Sequence, residues 1–393
     1  MTDMIKLLQL GRLKGASDLH LVIDSPPLLR INGVLEPVAD MPPMTEEDIT
    51  GALAQVTTEE QRARFQHDLE LDFGRTVSQV GRVRFNAARQ RGSTSLVNRL
   101  LPSSIPTPEM LGLPKVCKEL IMRPRGLVVV SGPTGSGKST TLASMIDYLN
   151  QTQAKRVVTM EDPIEYTYEN KKCIITQREL GADTLSFAEA LRHVLRQDPD
   201  VILVGEMRDL ETASAAITVA ETGHLVLTTG HAPSASQAVE RIINLFPPHE
   251  RHLTQDRLAS LLLGIFCQAL VPKADGSGRV AAIEVMLANT AVRNLIREGK
   301  TFQLPNTMRM HTRNGMELLD QALVRLYRAG AISREMVWDF CNDREEVAKL
   351  TGEKEETFNT KEPETVFGNK VNQFGMEYDS NAKSQIVSPS PRT

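Results

Sequence analysis

Leu127-Val128-Val129-Val130-Ser131-Gly132-Pro133-Thr134-Gly135-Ser136-Gly137-Lys138-Ser139-Thr140 decides the fold. Its valine-rich start reads as a buried strand, and Thr141-Leu142-Ala143-Ser144-Met145-Ile146 carries on at helical spacing. Strand, glycine-rich loop, Lys-Ser and helix together are the context that a P-loop requires. Glycines let the backbone curl so that successive N–H groups face one anion, and the helix adds its positive N-terminal end. The stretch therefore predicts a nucleoside triphosphate, held by Gly132, Pro133, Thr134, Gly135, Ser136, Gly137, Lys138, Ser139 and Thr140. Lys138 is expected to reach the outer phosphates, and the Ser139 hydroxyl to hold Mg2+.

Outward from the loop, short apolar runs alternate with helical segments from about residue 110 to 290. That pattern predicts an α/β fold whose mostly parallel sheet is covered on both faces. Val157-Val158-Thr159-Met160, Val201-Ile202-Leu203-Val204 and Leu225-Val226-Leu227-Thr228 are its buried strands. Ser186-Phe187-Ala188-Glu189 reads as a capping box opening a helix through Arg196.

Residues 1–100 read as a small α+β domain. Asp18–Ile23 and Leu28–Ile31 alternate as strands, Asn32-Gly33 is a hairpin turn, and Thr45 with Asp48 starts a helix. Leu69–Arg75 and Gly81–Gln90 form a further strand pair. Residues 101–112 contain a proline-rich linker, 113–290 are the nucleotide-binding core and 291–348 a helical region. Residues 349–393, poor in apolar side chains, are expected to be a disordered tail.

Three stretches are expected to surround the loop. Asp198-Pro199-Asp200-Val201-Ile202-Leu203-Val204-Gly205-Glu206 is a strand that delivers Glu206 at its C-terminal end, where ligands bind in such sheets. Glu206 is placed to orient an attacking water, or to hold Mg2+ through a water shell. Glu161-Asp162-Pro163-Ile164-Glu165 packs three carboxylates into five residues, which repel one another unless a cation or donor sits among them. Glu161 and Glu165 are thus candidate catalytic acids, and Glu161 a candidate Mg2+ ligand. The third stretch, residues 221–231, puts His224 before a buried strand and His231 after it. Either imidazole could donate to a phosphate or link the nucleotide to a domain boundary.

Composition narrows the class. The chain has 393 residues, 41% hydrophobic and 24% charged, with a formal net charge of −4. The acid balance and the lack of mixed basic and aromatic stripes argue against a nucleic-acid partner. Cys117, Cys173, Cys267 and Cys341 lie far apart, without metal-ligand spacing or a disulfide framework. No apolar run approaches the ~20 residues that span a bilayer, and the start lacks a signal-peptide pattern. The chain is expected in the cytoplasm.

The loop at 132–140, the acidic box at 161–165, the strand ending at Glu206 and the histidine box at 224–231 resemble, in order and spacing, the secretion and type IV pilus ATPase superfamily. Gly205-Glu206-Met207-Arg208-Asp209-Leu210-Glu211-Thr212 looks like its retraction (twitching motility, PilT/PilU-type) branch. Ala291-Val292-Arg293-Asn294-Leu295-Ile296-Arg297-Glu298 matches that branch's A-I-R-N-L-I-R-E signature except at Val292. One departure is Thr229-Gly230-His231-Ala232, where the family usually reads T-L-H-T.

The resemblance implies a PAS-like N-terminal domain joined flexibly to a RecA-like ATPase domain, in a homo-hexameric ring. It implies ATP hydrolysis with Mg2+ at the inner-membrane base of a pilus, where domain rotation turns a membrane-embedded platform protein. A paralogous retraction ATPase is a further expected partner. Arg84 and Arg99, in a basic cluster before the linker, are expected to complete a neighbour's site in trans. In residues 291–298, Arg293, Asn294 and Arg297 fall off the apolar face and are expected to meet a partner or neighbouring domain. Alternatives are an assembly ATPase for pilus extension or type II secretion, or a non-hydrolysing ATP-binding regulator. The assembly chains usually carry a larger N-terminal region and often a four-cysteine zinc insert, neither of which is expected here.

Overall fold

Alternating side chains in the first hundred residues build a six-stranded antiparallel sheet, in a computed structural model that describes residues 2–352 other than 32 and 103. Its strands are β1 (Asp18–Leu21), β2 (Leu28–Ile31), β3 (Val34–Pro37), β4 (Glu70–Val77), β5 (Gly81–Gln90) and β6 (Ser93–Leu100), in the order β3-β2-β1-β6-β5-β4. Helices α1 (Met4–Leu13), α2 (Glu46–Val56) and α3 (Glu59–Asp68) supply Leu8, Ile49, Leu53 and Phe65 to one core with Leu19, Phe85 and Leu96 of the strands. The expected cap of α2 is present: Thr45 accepts from the Asp48 amide, and the Asp48 carboxylate accepts from the Thr45 amide. Asn32 of the expected hairpin turn, and the expected tail from residue 353 onward, lie outside the described residues.

The second sheet has seven strands. They are β7 (Gly126–Ser131), β8 (Arg156–Glu161), β9 (Ile174–Glu179), β10 (Val201–Val204), β11 (Leu225–Thr229), β12 (Leu262–Pro272) and β13 (Arg279–Leu287). Their order is β13-β12-β7-β11-β10-β8-β9, all parallel to their neighbours except β13. Both faces are covered, which is why β7, β10 and β11 are nearly continuous runs of Val, Leu and Ile. Helices α4 (Lys115–Ile121) and α5 (Lys138–Thr152) pack on one face, and α6 (Phe187–Val194), α7 (Leu210–Glu221), α8 (Ala235–Asn244) and α9 (Arg251–Leu261) on the other. The α/β class holds, and the strands β9, β12 and β13 widen the sheet beyond those read from the sequence.

The capping box at Ser186 is only half formed. Ser186 accepts from the Glu189 amide, but the Glu189 carboxylate turns to Arg192 and His193 on its own helix. The α-helix ends at Val194 and tightens into a 3-10 turn over Leu195–Gln197.

After β13 come α10 (Thr290–Arg297), α11 (Leu304–Met310), α12 (Leu319–Arg328), α13 (Arg334–Phe340) and α14 (Arg344–Thr351). Leu323, Ile332, Val337 and Trp338 of this region close a small core against Val271 and Ala282. Among the described residues no helix is long and apolar enough to cross a membrane.

Candidate functional site

Register brings the motifs together. Val204 of β10 lies opposite Met160 of β8 and Thr228 of β11, and Thr228 lies opposite Val129 of β7. Because these strands run parallel, their C-terminal ends share one edge of the sheet. The loop after β7, Glu161 at the end of β8, Glu206 after β10 and His231 after β11 therefore meet there.

The loop has the backbone of an anion cradle. Gly132, Gly135 and Gly137 have φ of 139°, 79° and 89°, which only glycine adopts without strain. A Cβ on Gly132 would come within 2.3 Å of the Gln268 carbonyl oxygen and 2.7 Å of Ser136 Oγ. Gly137 caps α5 without a side-chain acceptor, so the first N–H groups of that helix are left for a ligand. The Ser136 hydroxyl is buried without a protein partner. The Lys138 ammonium lies on the carbonyls of Gly132 (2.8 Å) and Pro133 (3.1 Å). Burial lowers its pKa, while the nearby carboxylates of Glu206 and Glu165 oppose that shift.

Glu206 is mostly buried, with 12% of its side chain exposed, and receives two donors. His231 Nε2 is 2.8 Å from its Oε1, and Arg208 Nε donates to its Oε2 at 2.6 Å. Arg208 is well exposed, so its share of this grip is easily released. A second clamp holds the backbone nearby: Thr229 Oγ1 donates to the Gly205 carbonyl, and Ser131 Oγ donates to the Ala232 carbonyl at 2.7 Å.

Glu161 stands further in. Burial pushes its carboxyl up to about 7, against hydrogen bonds from Thr159 Oγ1 (2.6 Å) and Gln177 Nε2 (3.1 Å). The neighbouring carboxylate of Glu165 adds to the rise. Tyr166 fastens this segment to the loop, its hydroxyl 3.0 Å from Thr140 Oγ1. Thr140 is thus engaged by protein, while Ser139, at the second position of α5, is half-buried. Among the described residues no three His, Cys, Asp or Glu side chains gather as a metal site. The oxygen donors present fit an ion that takes part of its shell from phosphate and water, which suits Mg2+.

Three predicted site residues are not brought here. His224 precedes β11, and its carbonyl accepts from the amide of Gly126 at the start of β7, the opposite edge of the sheet from the loop. Its Nδ1 is 3.0 Å from Thr222 Oγ1, so within this chain it serves a turn. The two ends of a five-residue strand are ~15 Å apart, so His224 stands well away from His231. Arg84 and Arg99 lie on the first sheet, beside Asp72 (3.8 Å) and Asp18 (2.9 Å), and both are substantially exposed. Arg82, from the same cluster, instead pairs with Glu179 of β9 in a largely buried contact. Glu179 also accepts from the Ile164 amide (3.0 Å), so the first sheet is tied to the acidic segment.

Sequence reasoning missed Gln177, Glu179 and Gln268. Gln268 donates to Thr141 Oγ1 at 2.9 Å, and its carbonyl backs Gly132. The available signal was a lone polar residue inside the apolar run Ile265–Val271.

Comparison with known proteins gives the family. Residues 108–337 match the family described as Type II/IV secretion system protein. The chain is 45% identical to the type IV pilus retraction ATPase PilT of Pseudomonas aeruginosa, over 85% of this chain and 96% of that one. It is 42% identical to the type IV pilus ATPase PilU of the same organism, over 89% and 92%. The crystal structure of the pilus retraction motor PilT with bound ADP aligns at a TM-score of 0.84 and 44% identity, covering 89% of this chain and 100% of that one. Sequence, fold and relatives converge, and the chain belongs to the secretion ATPase family, in its branch of type IV pilus retraction ATPases.

Proposed function

We propose that this chain hydrolyses ATP as a homo-hexameric motor and that the released energy drives type IV pilus retraction. The observation that carries the reading is the gathering of the P-loop, Lys138 and the Glu206–His231 pair at one sheet edge. Lys138 leaves its loop carbonyls for the outer phosphates, and the amides at the start of α5 take the phosphate oxygens. Glu206, held by His231, accepts a hydrogen bond from the attacking water and points it at the terminal phosphorus. Ser139, with Glu161 and Glu206, would hold Mg2+, which would supply charge neutralisation on the phosphates. Glu165 contributes field, and its carboxylate already acts on Lys138.

In this reading residues 1–100 and 113–290 are two bodies that rotate about 101–112, and residues 291–348 ride on the second. The motor sits on the cytoplasmic side of the inner membrane at the pilus base. It turns a membrane platform protein and has a paralogous retraction ATPase as a further partner; nucleic acid is not a partner. The 42% identity to PilU, beside 45% to PilT, supports the branch.

Phosphate release tests the chemistry. Lys138→Ala should abolish it by removing the charge on the outer phosphates. Glu206→Ala should abolish turnover while a fluorescent ATP analogue still binds, because that carboxylate acts on water more than on affinity. Near-normal turnover in Glu206→Ala would move the catalytic carboxylate to the 161–165 box. In cells, Glu206→Ala should leave pili that extend but fail to shorten.

A further inference from the structure

One carboxylate is buried where no catalytic role reaches it. Glu284 stands in the apolar strand Val280-Ala281-Ala282-Ile283-Glu284-Val285-Met286-Leu287 and is 3% exposed. Burial raises its pKa, and hydrogen bonds from two amides oppose the rise. Those amides explain how the charge is tolerated. Ala235 N donates to Oε1 at 2.6 Å and Leu319 N donates to Oε2 at 3.2 Å. Each is the first residue of a helix, α8 and α12, so one carboxylate satisfies an orphan N–H and meets the positive end of both.

The two helices have different neighbourhoods. α8 begins four residues after His231, whereas α12 lies in the C-terminal helical region. A row of side chains across three strands joins them to the nucleotide loop: Ser131 of β7 lies opposite Cys267 of β12, which lies opposite Glu284 of β13. From the ends of that row the segment after His231 is clipped twice, Ala232 by its carbonyl to Ser131 Oγ (2.7 Å) and Ala235 by its amide to Glu284. On the far side, Val285 and Glu317 exchange backbone hydrogen bonds at 2.7 and 3.0 Å, fixing the approach to α12.

We propose that Glu284 is a positioning residue for turnover, which holds the segment following His231 so that the imidazole stays on Glu206. It touches neither nucleotide nor water. The inference rests on the reading that Glu206 and His231 serve hydrolysis. A shift of this segment moves His231 off Glu206, and misplacements of about 1 Å can cost about a hundredfold in rate.

The experiment compares two buried carboxylates in the full-length protein. Asp320 is 5% exposed and likewise accepts from two amides, Asn342 N (2.7 Å) and Asp343 N (3.0 Å), but these lie in the connection between α13 and α14. Glu284→Gln sets an N–H2 against one of two N–H donors; Asp320→Asn does the same without touching the segment after His231. Both should lose thermal stability to a similar degree. Only Glu284→Gln should lower kcat, by about ten- to a hundredfold, with KM for ATP within about twofold. Wild-type kcat in Glu284→Gln, or an equal fall in Asp320→Asn, would overturn the proposal. Should Glu284→Gln fail to accumulate as folded protein, Ala235→Pro decides. It deletes one donor at a helix position that accepts proline, after a Ser234 already extended at φ −133° and ψ 159°. The same fall in kcat supports the proposal, and wild-type kcat overturns it. If Glu206→Ala kept its turnover, the reading of the site itself would fail. With Glu206→Ala inactive and Glu284→Gln at wild-type rate, the positioning role alone fails.

Discussion

Gly230 illustrates how much one missing methyl group determines at this site. A Cβ there would lie 3.1 Å from Ser131 Oγ and 3.9 Å from a Val129 methyl. The Ser131 hydroxyl cannot withdraw cheaply, because it is buried and donates to Ala232 at 2.7 Å. The glycine therefore allows the end of β11 to approach β7 closely, and its departure from the family's usual leucine is matched to that contact. Gly230→Ala should cost about 1–3 kcal/mol from overpacking, less about 0.4–1 kcal/mol returned by a stiffer unfolded chain. Calorimetry would register a thermal midpoint lower by a few degrees. An unchanged or higher midpoint would mean that the Ser131–Ala232 clamp has slack. His231 and Glu206 were legible at this scale because each follows an apolar strand; Gln177 and Glu179 were not, since nothing local marks a half-exposed strand such as β9.

The element with the largest correction is α10. Its apolar face is as expected, with Val292 and Ile296 fully buried. Arg293, expected to face a partner, instead folds back onto its own chain. Its guanidinium donates to the carbonyls of Leu262 (2.8 Å), Ser260 (2.6 Å), Ala259 and Ala288 (2.9 Å). Three of those carbonyls lie at the C-terminal end of α9 and its junction with β12, where helical carbonyls lack intrahelical donors. Arg297 remains near the surface, beside Asn294 (3.0 Å) and Asp256 (3.7 Å). Arg293→Ala should thus destabilise the protein by about 2–3 kcal/mol, since several acceptors lose a charged donor. Arg297→Ala should stay within about 0.5 kcal/mol. Urea unfolding of the two single variants checks this. Equal, small effects would return Arg293 to the surface role that its sequence position suggests.

At the scale of the whole molecule, the first sheet presents its arginines in two ways. Arg82 is taken by Glu179 in the same chain, while Arg84 and Arg99 stay largely exposed beside single carboxylates. That exposure suits the proposed action on a neighbour's nucleotide, where developing phosphoryl charge needs donors that the P-loop does not provide. Subunits carrying Arg84→Ala or Arg99→Ala, mixed with Lys138→Ala subunits, should recover part of the ATPase activity. Each kind supplies to its neighbour what the other lacks. No recovery at any mixing ratio would remove these two residues from the site.

The chain's own sequence determined what depends on near neighbours. A phosphate loop needs its glycines, lysine and serine consecutively between a strand and a helix, so residues 127–146 carried the fold class and the ligand by themselves. The strands that end in Glu161, Glu206 and His231 were readable from short apolar runs for the same reason. Tertiary structure decided what depends on which ends of distant strands become neighbours. Parallel register set His231 against Glu206 and sent His224 to the other edge. It made the isolated polar residues Gln268 and Glu284 into supports for the loop and for the segment after His231. It also turned Arg293 inward, because the carbonyls it satisfies belong to residues about thirty positions earlier. Partners that far apart leave no spacing in the sequence, and only burial, which makes an unpaired polar group costly, selects them.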